Sequence, residues 1–177
     1  AEPALLMVIF VASLISATTA LPLISERLVT QTAALYPSLA FTAVAFTMVT
    51  LAENARIPVD NPATHLELTM IHEAMLLEYS ARHLALMEWA AALKLFNYAC
   101  IGFALFVPWG ASTGDPEPVA LLLATPILIG KLAIAGVWLA LLETLSAKLR
   151  VFRAPEFLAT AFIFAVLGML VHLLLVA

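Results

Sequence analysis

Apolar residues do not alternate along this chain but run in long blocks, broken by short clusters of charge, proline and glycine. A helix needs about 20 predominantly apolar residues to cross a hydrocarbon core of about 30 Å. Stretches 4–24, 33–52, 119–142 and 157–176 meet that length with at most one interior charge, and 84–107 meets it while carrying Glu88 and Lys94. The pattern predicts an all-α integral membrane fold of about five spans in one membrane domain, 1–177. The first two spans are expected to join through a short turn at 25–31. Residues 108–118, rich in Gly, Pro and Asp, read as a loop.

Composition agrees: 64% of the 177 residues are hydrophobic and 11% charged. A soluble domain of this size carries about 25% charged residues. The net charge of −4 contains no basic run, which argues against nucleic acid as a partner. The single cysteine, Cys100, cannot make an internal disulfide. The chain opens Ala1-Glu2-Pro3 without a signal-peptide pattern, as a processed chain or a fragment would.

Bases set the expected orientation. Lys148, Arg150 and Arg153 lie between the fourth and fifth spans, and alternation places Arg56 and Arg82 on the same side, which is then cytoplasmic. Arg27 falls on the other side. Trp109 and Trp138 sit where interfacial anchors belong.

Six of the twelve acids, Glu53, Asp60, Glu67, Glu73, Glu78 and Glu88, fall in or just after the loop 53–83. Pro58 and Pro62 prevent a regular helix at its start, and Glu53, Arg56 and Asp60 are close enough in sequence to pair. Such a loop reads equally as an interfacial ion-pair cluster or as a functional one. Thr64-His65-Leu66-Glu67 has the form of a capping box and predicts an amphipathic loop helix from Thr64. On that helix His65, Thr69, His72 and Glu73 share one face, Glu67 and Glu78 the opposite one. Arg82 follows Glu78 by four and can pair with it.

His65 and His72 are seven apart, and His72-Glu73 lacks the second histidine of a zincin, so a structural or proton-exchanging role stands ahead of a metal site. No phosphate loop, nucleophile elbow or cysteine cluster occurs, and no cofactor is expected on this chain. Lys94 and Lys131 lie ten or more residues inside their spans, where a lysine costs about 2.5–3.5 kcal/mol. They face an interior path, or else snorkel or pair with a carboxylate of a neighbouring helix. Glu88, Glu143 and His172 read as interfacial or packing residues.

The run Glu53-x-x-Arg56-x-Pro58-x-Asp60, followed by Glu67-Leu68 and Glu78-Tyr79-Ser80, resembles the membrane subunit that anchors the peripheral arm in respiratory complex I, the complex I subunit 1 family. The text from Pro62 to Glu73 is more similar to the formate hydrogenlyase and hydrogenase 4 type than to the quinone-reducing type, which is more acidic before the position of Glu67.

The resemblance implies a non-catalytic subunit of a group 4 nickel-iron hydrogenase complex in the cytoplasmic membrane. Its loop would dock a hydrogenase module, whose nickel-iron centre and iron–sulfur clusters belong to partner subunits, and its acids would start a proton or ion path towards antiporter-like subunits. Glu53, Arg56, Pro58, Asp60, Glu67 and Glu78 match the family pattern. Adding Glu73, Lys94 and Lys131 to the path, and Arg82 to the docking loop, rests on their place in this chain. Ala81 stands where the family commonly has Gly. Family members have about eight spans, of which this chain carries the equivalent of the last five, so an N-terminal part is expected to be missing. The alternatives are a quinone-site subunit of the same family and, from another class, a stand-alone small ion transporter using a lysine site.

Overall fold

The computed structural model describes residues 2–30, 37–56, 59–61, 66–67, 79–110, 118–145, 149–150 and 154–176. Six helices account for nearly all of them: α1 (Glu2–Ser16), α2 (Leu21–Thr30), α3 (Pro37–Glu53), α4 (Ala81–Phe106), α5 (Pro118–Leu145) and α6 (Ala154–Val176). Three short strands, β1 (Val59–Asn61), β2 (Leu66–Glu67) and β3 (Leu149–Arg150), pair in the order β2-β1-β3. The all-helical membrane class therefore holds, with a seven-residue strand patch between the helices.

The span count is lower than five. Among the described residues three helices, Ala81–Phe106, Leu122–Leu145 and Pro155–Leu175, are long and apolar enough to cross a membrane. Among the described residues a fourth is reached if α1 and α2 are counted as one, and they are bent by 54° at a break. The break has a local cause. Ser13 and Ser16 bond back to the carbonyls of Phe10 and Ala12 at 2.8 Å each, a habit that bends helices, and Pro22 disfavours helical backbone just before it. Ala17 then takes a φ of 51°, and its N–H and that of Thr18 donate to the Leu14 and Ser13 carbonyls. This closes α1 with a left-handed C-cap. Residues 25–30, expected as a turn, are helical. α3 has 17 residues, and the start of the expected 33–52 span lies outside the described residues.

α1, α3 and α6 form the core, in layers. Ala4, Val49 and Ala161 pack at one level; Val8, Ala45, Phe46 and Ala165 at the next; Val11, Ala12 and Ile15, with Ile24, Leu28 and Leu105, at a third. This order makes α1 and α6 parallel and α3 antiparallel to both. Small residues dominate the α3–α6 seam, as in membrane helices, where close backbone approach replaces the hydrophobic drive. At Gly168 an added Cβ would lie 2.6 Å from Thr42 Oγ1 and 3.0 Å from the Ser38 carbonyl oxygen.

α4 is shifted lengthwise against this core. Its midpoint, Lys94, is level with Glu53, the last residue of α3. At 1.5 Å per residue, the segment before Lys94 extends up to about 20 Å beyond the end of α3. Lys94 is central in its own helix but terminal to its neighbour.

Candidate functional site

The site is built on how α3 ends. Ala55 has a φ of 51°, its N–H donates to the Ala52 carbonyl at 3.2 Å, and the Arg56 N–H donates to the Leu51 carbonyl at 2.9 Å. This is the Schellman arrangement. It satisfies two terminal carbonyls and leaves that of Glu53 for an outside donor. Lys94 Nζ supplies it, donating to the Glu53 carbonyl oxygen at 2.8 Å and to its carboxylate Oε2 at 3.0 Å. An ammonium at a helix C-terminus also meets the negative end of the helix dipole.

Three residues on, Arg56 Nη1 lies 3.5 Å from Glu143 Oε1 on α5. Glu53 and Arg56 therefore do not pair with each other, contrary to the expectation from spacing. The left-handed residue between them turns the chain, so one side chain faces α4 and the other α5. Arg56 and Glu143 are 43% and 36% exposed, so their pair is screened and worth about 1 kcal/mol at most. Its value is geometric: one four-residue turn is tied to two helices.

The loop begins directly after this turn. β1 is antiparallel to β2, with Asp60 in register with Glu67, and parallel to β3, with Asp60 in register with Arg150. The loop after α3 and the connection between α5 and α6 thus meet on one side of the bundle, as alternation of spans requires. Glu67 stands in a strand, which corrects the helix expected to start at Thr64. The Thr-x-x-Glu signature is only four residues long, and β1 supplies Leu66 and Glu67 with backbone partners that a helix start lacks. Pro58, Thr64, His65, Thr69, His72, Glu73 and Glu78 lie outside the described residues. Arg82 is exposed in the first turn of α4. Among the described residues no group of three or more His, Cys, Asp or Glu is placed to hold a metal ion.

Lys131 is placed differently from Lys94. Its Nζ donates to the Val107 carbonyl at 2.6 Å and to that of Trp109, and stands 6.0 Å from the centre of the Phe103 ring. It thus caps the irregular end of α4, where backbone carbonyls in a membrane need a protein partner. Arg27 does the same for α1, its Nη1 donating to the Ser16 carbonyl at 2.7 Å. Three cations therefore each bind the C-terminal carbonyls of a preceding helix: Arg27 for α1, Lys94 for α3 and Lys131 for α4. For Lys131 this accounts for the charge without assigning it to a path. Lys131→Met is expected to cost about 1–3 kcal/mol by orphaning those carbonyls, read as a lower unfolding temperature in detergent, while Lys131→Arg keeps most of the stability. Equal stability of the two variants would refute the capping role.

Sequence reasoning gives Glu143 and Arg27 no role in the site. Glu143 is a single charge near the end of an apolar run and Arg27 follows Glu26 just after one; their partners are 87 and 11 residues away, so no local pattern points to them.

Similarity to known proteins bears on what such a site belongs to. The sequence model described as NADH dehydrogenase matches residues 1–174. The chain belongs to this family, the complex I subunit 1 family. Within it, the chain is similar to formate hydrogenlyase subunit 4 of Escherichia coli (strain K12), with 29% identity over 167 residues. The match covers 94% of this chain and 53% of that relative, so the chain spans about half the relative's length. No solved structure matches. Family membership and the apolar helices together make this a multi-pass membrane protein.

Proposed function

We propose that this chain is a membrane subunit of a complex-I-like, energy-converting hydrogenase of the formate hydrogenlyase or hydrogenase 4 type. Its loop 53–83, on the cytoplasmic side of the inner membrane, docks the peripheral redox arm. The observation that carries this reading is the turn from Glu53 to Arg56, ion-paired to α4 on one side and α5 on the other, at the root of the loop. A charge or conformational change delivered to β1 by a docked partner reaches Glu53 and Arg56 within a few residues, and through them two helices.

In this reading Glu53, with Lys94, starts a proton or ion path that Glu67, Glu73 and Glu78 feed from the loop, leading towards antiporter-like subunits. Lys131 acts on it as a cap that positions α4. Arg56, Pro58, Asp60 and Arg82 shape the docking surface. The nickel-iron centre and iron–sulfur clusters belong to the partners. The match to a formate hydrogenlyase subunit, and the text from Pro62 to Glu73, favour this branch over a quinone-reducing one.

Variants of the loop separate transport from assembly. Glu67→Gln and Glu78→Gln are each expected to lower proton translocation by the assembled complex several-fold while the arm stays bound. Arg56→Ala and Asp60→Ala are expected to release the hydrogenase module from the membrane fraction. Normal translocation in both glutamine variants would remove those acids from the path.

A further inference from the structure

A groove of about 620 Å³ runs between α3, α4 and α5. Its walls are almost wholly apolar, with Phe46 and Leu51 on α3, Ala99 and Phe103 on α4, and Ala135 and Leu139 on α5. α5 contributes little of itself to the protein interior, so the groove is open along the side of the bundle. One end is charged. Leu51 and Leu142 line it, the Arg56 N–H bonds to the Leu51 carbonyl, and the half-exposed Arg56 and Glu143 stand 3.5 Å apart beside them. Thr50, in the wall next to this mouth, has a buried hydroxyl with no hydrogen-bond partner. At the other end is the alkyl stem of Lys131, whose ammonium is turned to the carbonyls of Val107 and Trp109.

We propose that this groove seats one acyl chain of a zwitterionic glycerophospholipid of the ethanolamine type, with its headgroup at Arg56 and Glu143. Three features fit that ligand. From Leu142 to Lys131 the groove is about 16 Å long at 1.5 Å per residue, close to half of a hydrocarbon core of about 30 Å and thus to the reach of one leaflet's acyl chain. The mouth carries one cation and one anion side by side, matching a phosphate and a primary ammonium. Between the mouth and Lys131 the walls are almost wholly apolar, as an acyl chain requires. Water fits the groove poorly, because its walls offer almost nothing to bond. This proposal stands independently of the hydrogenase reading.

Two glycines make the test selective. A Cβ at either Gly130 or Gly136 meets nothing within 4 Å, and of the two only Gly136 lines the groove. The full chain, in whatever complex it forms, is extracted from its own membrane in mild detergent, washed repeatedly, and its retained lipids are quantified per chain by mass spectrometry. The expected result is a phosphatidylethanolamine retained in preference to phosphatidylglycerol and cardiolipin, lowered roughly tenfold by Gly136→Phe and unchanged by Gly130→Phe. Should Gly136→Phe not accumulate, Gly136→Leu carries the same readout. Loss of the lipid to the first wash, equal retention in the groove-filling variant, selective retention of an anionic lipid, or an isoprenoid quinone in its place would each overturn the proposal.

Discussion

Replacing Lys94 with methionine is expected to reduce ion translocation by the assembled complex to below about a tenth of its normal rate, the largest functional effect of any single change outside the loop. Lys94 holds both the carboxylate and the backbone carbonyl of Glu53. Its loss leaves an acid and a helix C-terminus without their shared donor; the side chains are 46% and 25% exposed, so the pair acts by fixing the end of α3 against α4 more than by its electrostatic energy. Lys94→Arg is expected to retain most of the rate. The double variant Glu53→Gln with Lys94→Met distinguishes the two roles of the pair. Removing both charges keeps the complex assembled, since no unpaired ion remains, and leaves translocation low. Restored translocation in the double variant would reduce the pair to a packing feature. The readout is proton uptake or release by vesicles carrying the complex, against the amount of bound hydrogenase module.

The largest structural effect is expected at Gly168. Its Cβ position is occupied by the Thr42 hydroxyl, which is itself held at 2.6 Å from the Ser38 carbonyl, and by that carbonyl oxygen. Neither is the free end of a flexible side chain, so α3 and α6 must move apart to admit a methyl group. Gly168→Ala is expected to cost about 1–3 kcal/mol, the usual range for overpacking, and Gly168→Leu to prevent accumulation of folded protein. A paired change that makes room, Gly168→Ala with Thr42→Ala, is expected to recover much of the loss. Thermal unfolding in detergent reads all three. An unaltered unfolding temperature for Gly168→Ala would contradict the close α3–α6 seam.

The apolar blocks make the membrane class legible in the sequence itself, because composition and run length alone decide whether lipid or water is the solvent. α4, α5 and α6 lie where the runs predict them. The break between α1 and α2 is hidden, since serine, threonine and a single proline hardly lower the hydropathy of the run while their hydroxyls and ring reshape its backbone. At the site, sequence spacing singles out Glu53, Arg56 and Lys94; the reading in which Lys94 pairs with a carboxylate of a neighbouring helix holds, while the expected pairing of Glu53 with Arg56 does not. Residues three apart at a helix end are separated by the left-handed residue that closes the helix, and nothing in Asn54-Ala55 announces it, because alanine stands where glycine is usual. Lys131 is conspicuous as a charge, but its role depends on the end of α4 coming alongside the middle of α5, which is a matter of tertiary register. The Thr64 to Glu67 capping signature fails for a related reason. Four residues of favourable local chemistry yield to pairing with a strand that the chain provides just upstream.

The proposed docking of a hydrogenase arm is tested by the composition of the complex that this chain forms. A tagged chain extracted from its native membrane in mild detergent is predicted to carry a nickel-iron large subunit, an iron–sulfur partner and antiporter-like membrane subunits, identified by mass spectrometry. A stable homo-oligomer that brings none of these with it, or a complex whose turnover depends on added quinone, would contradict the account.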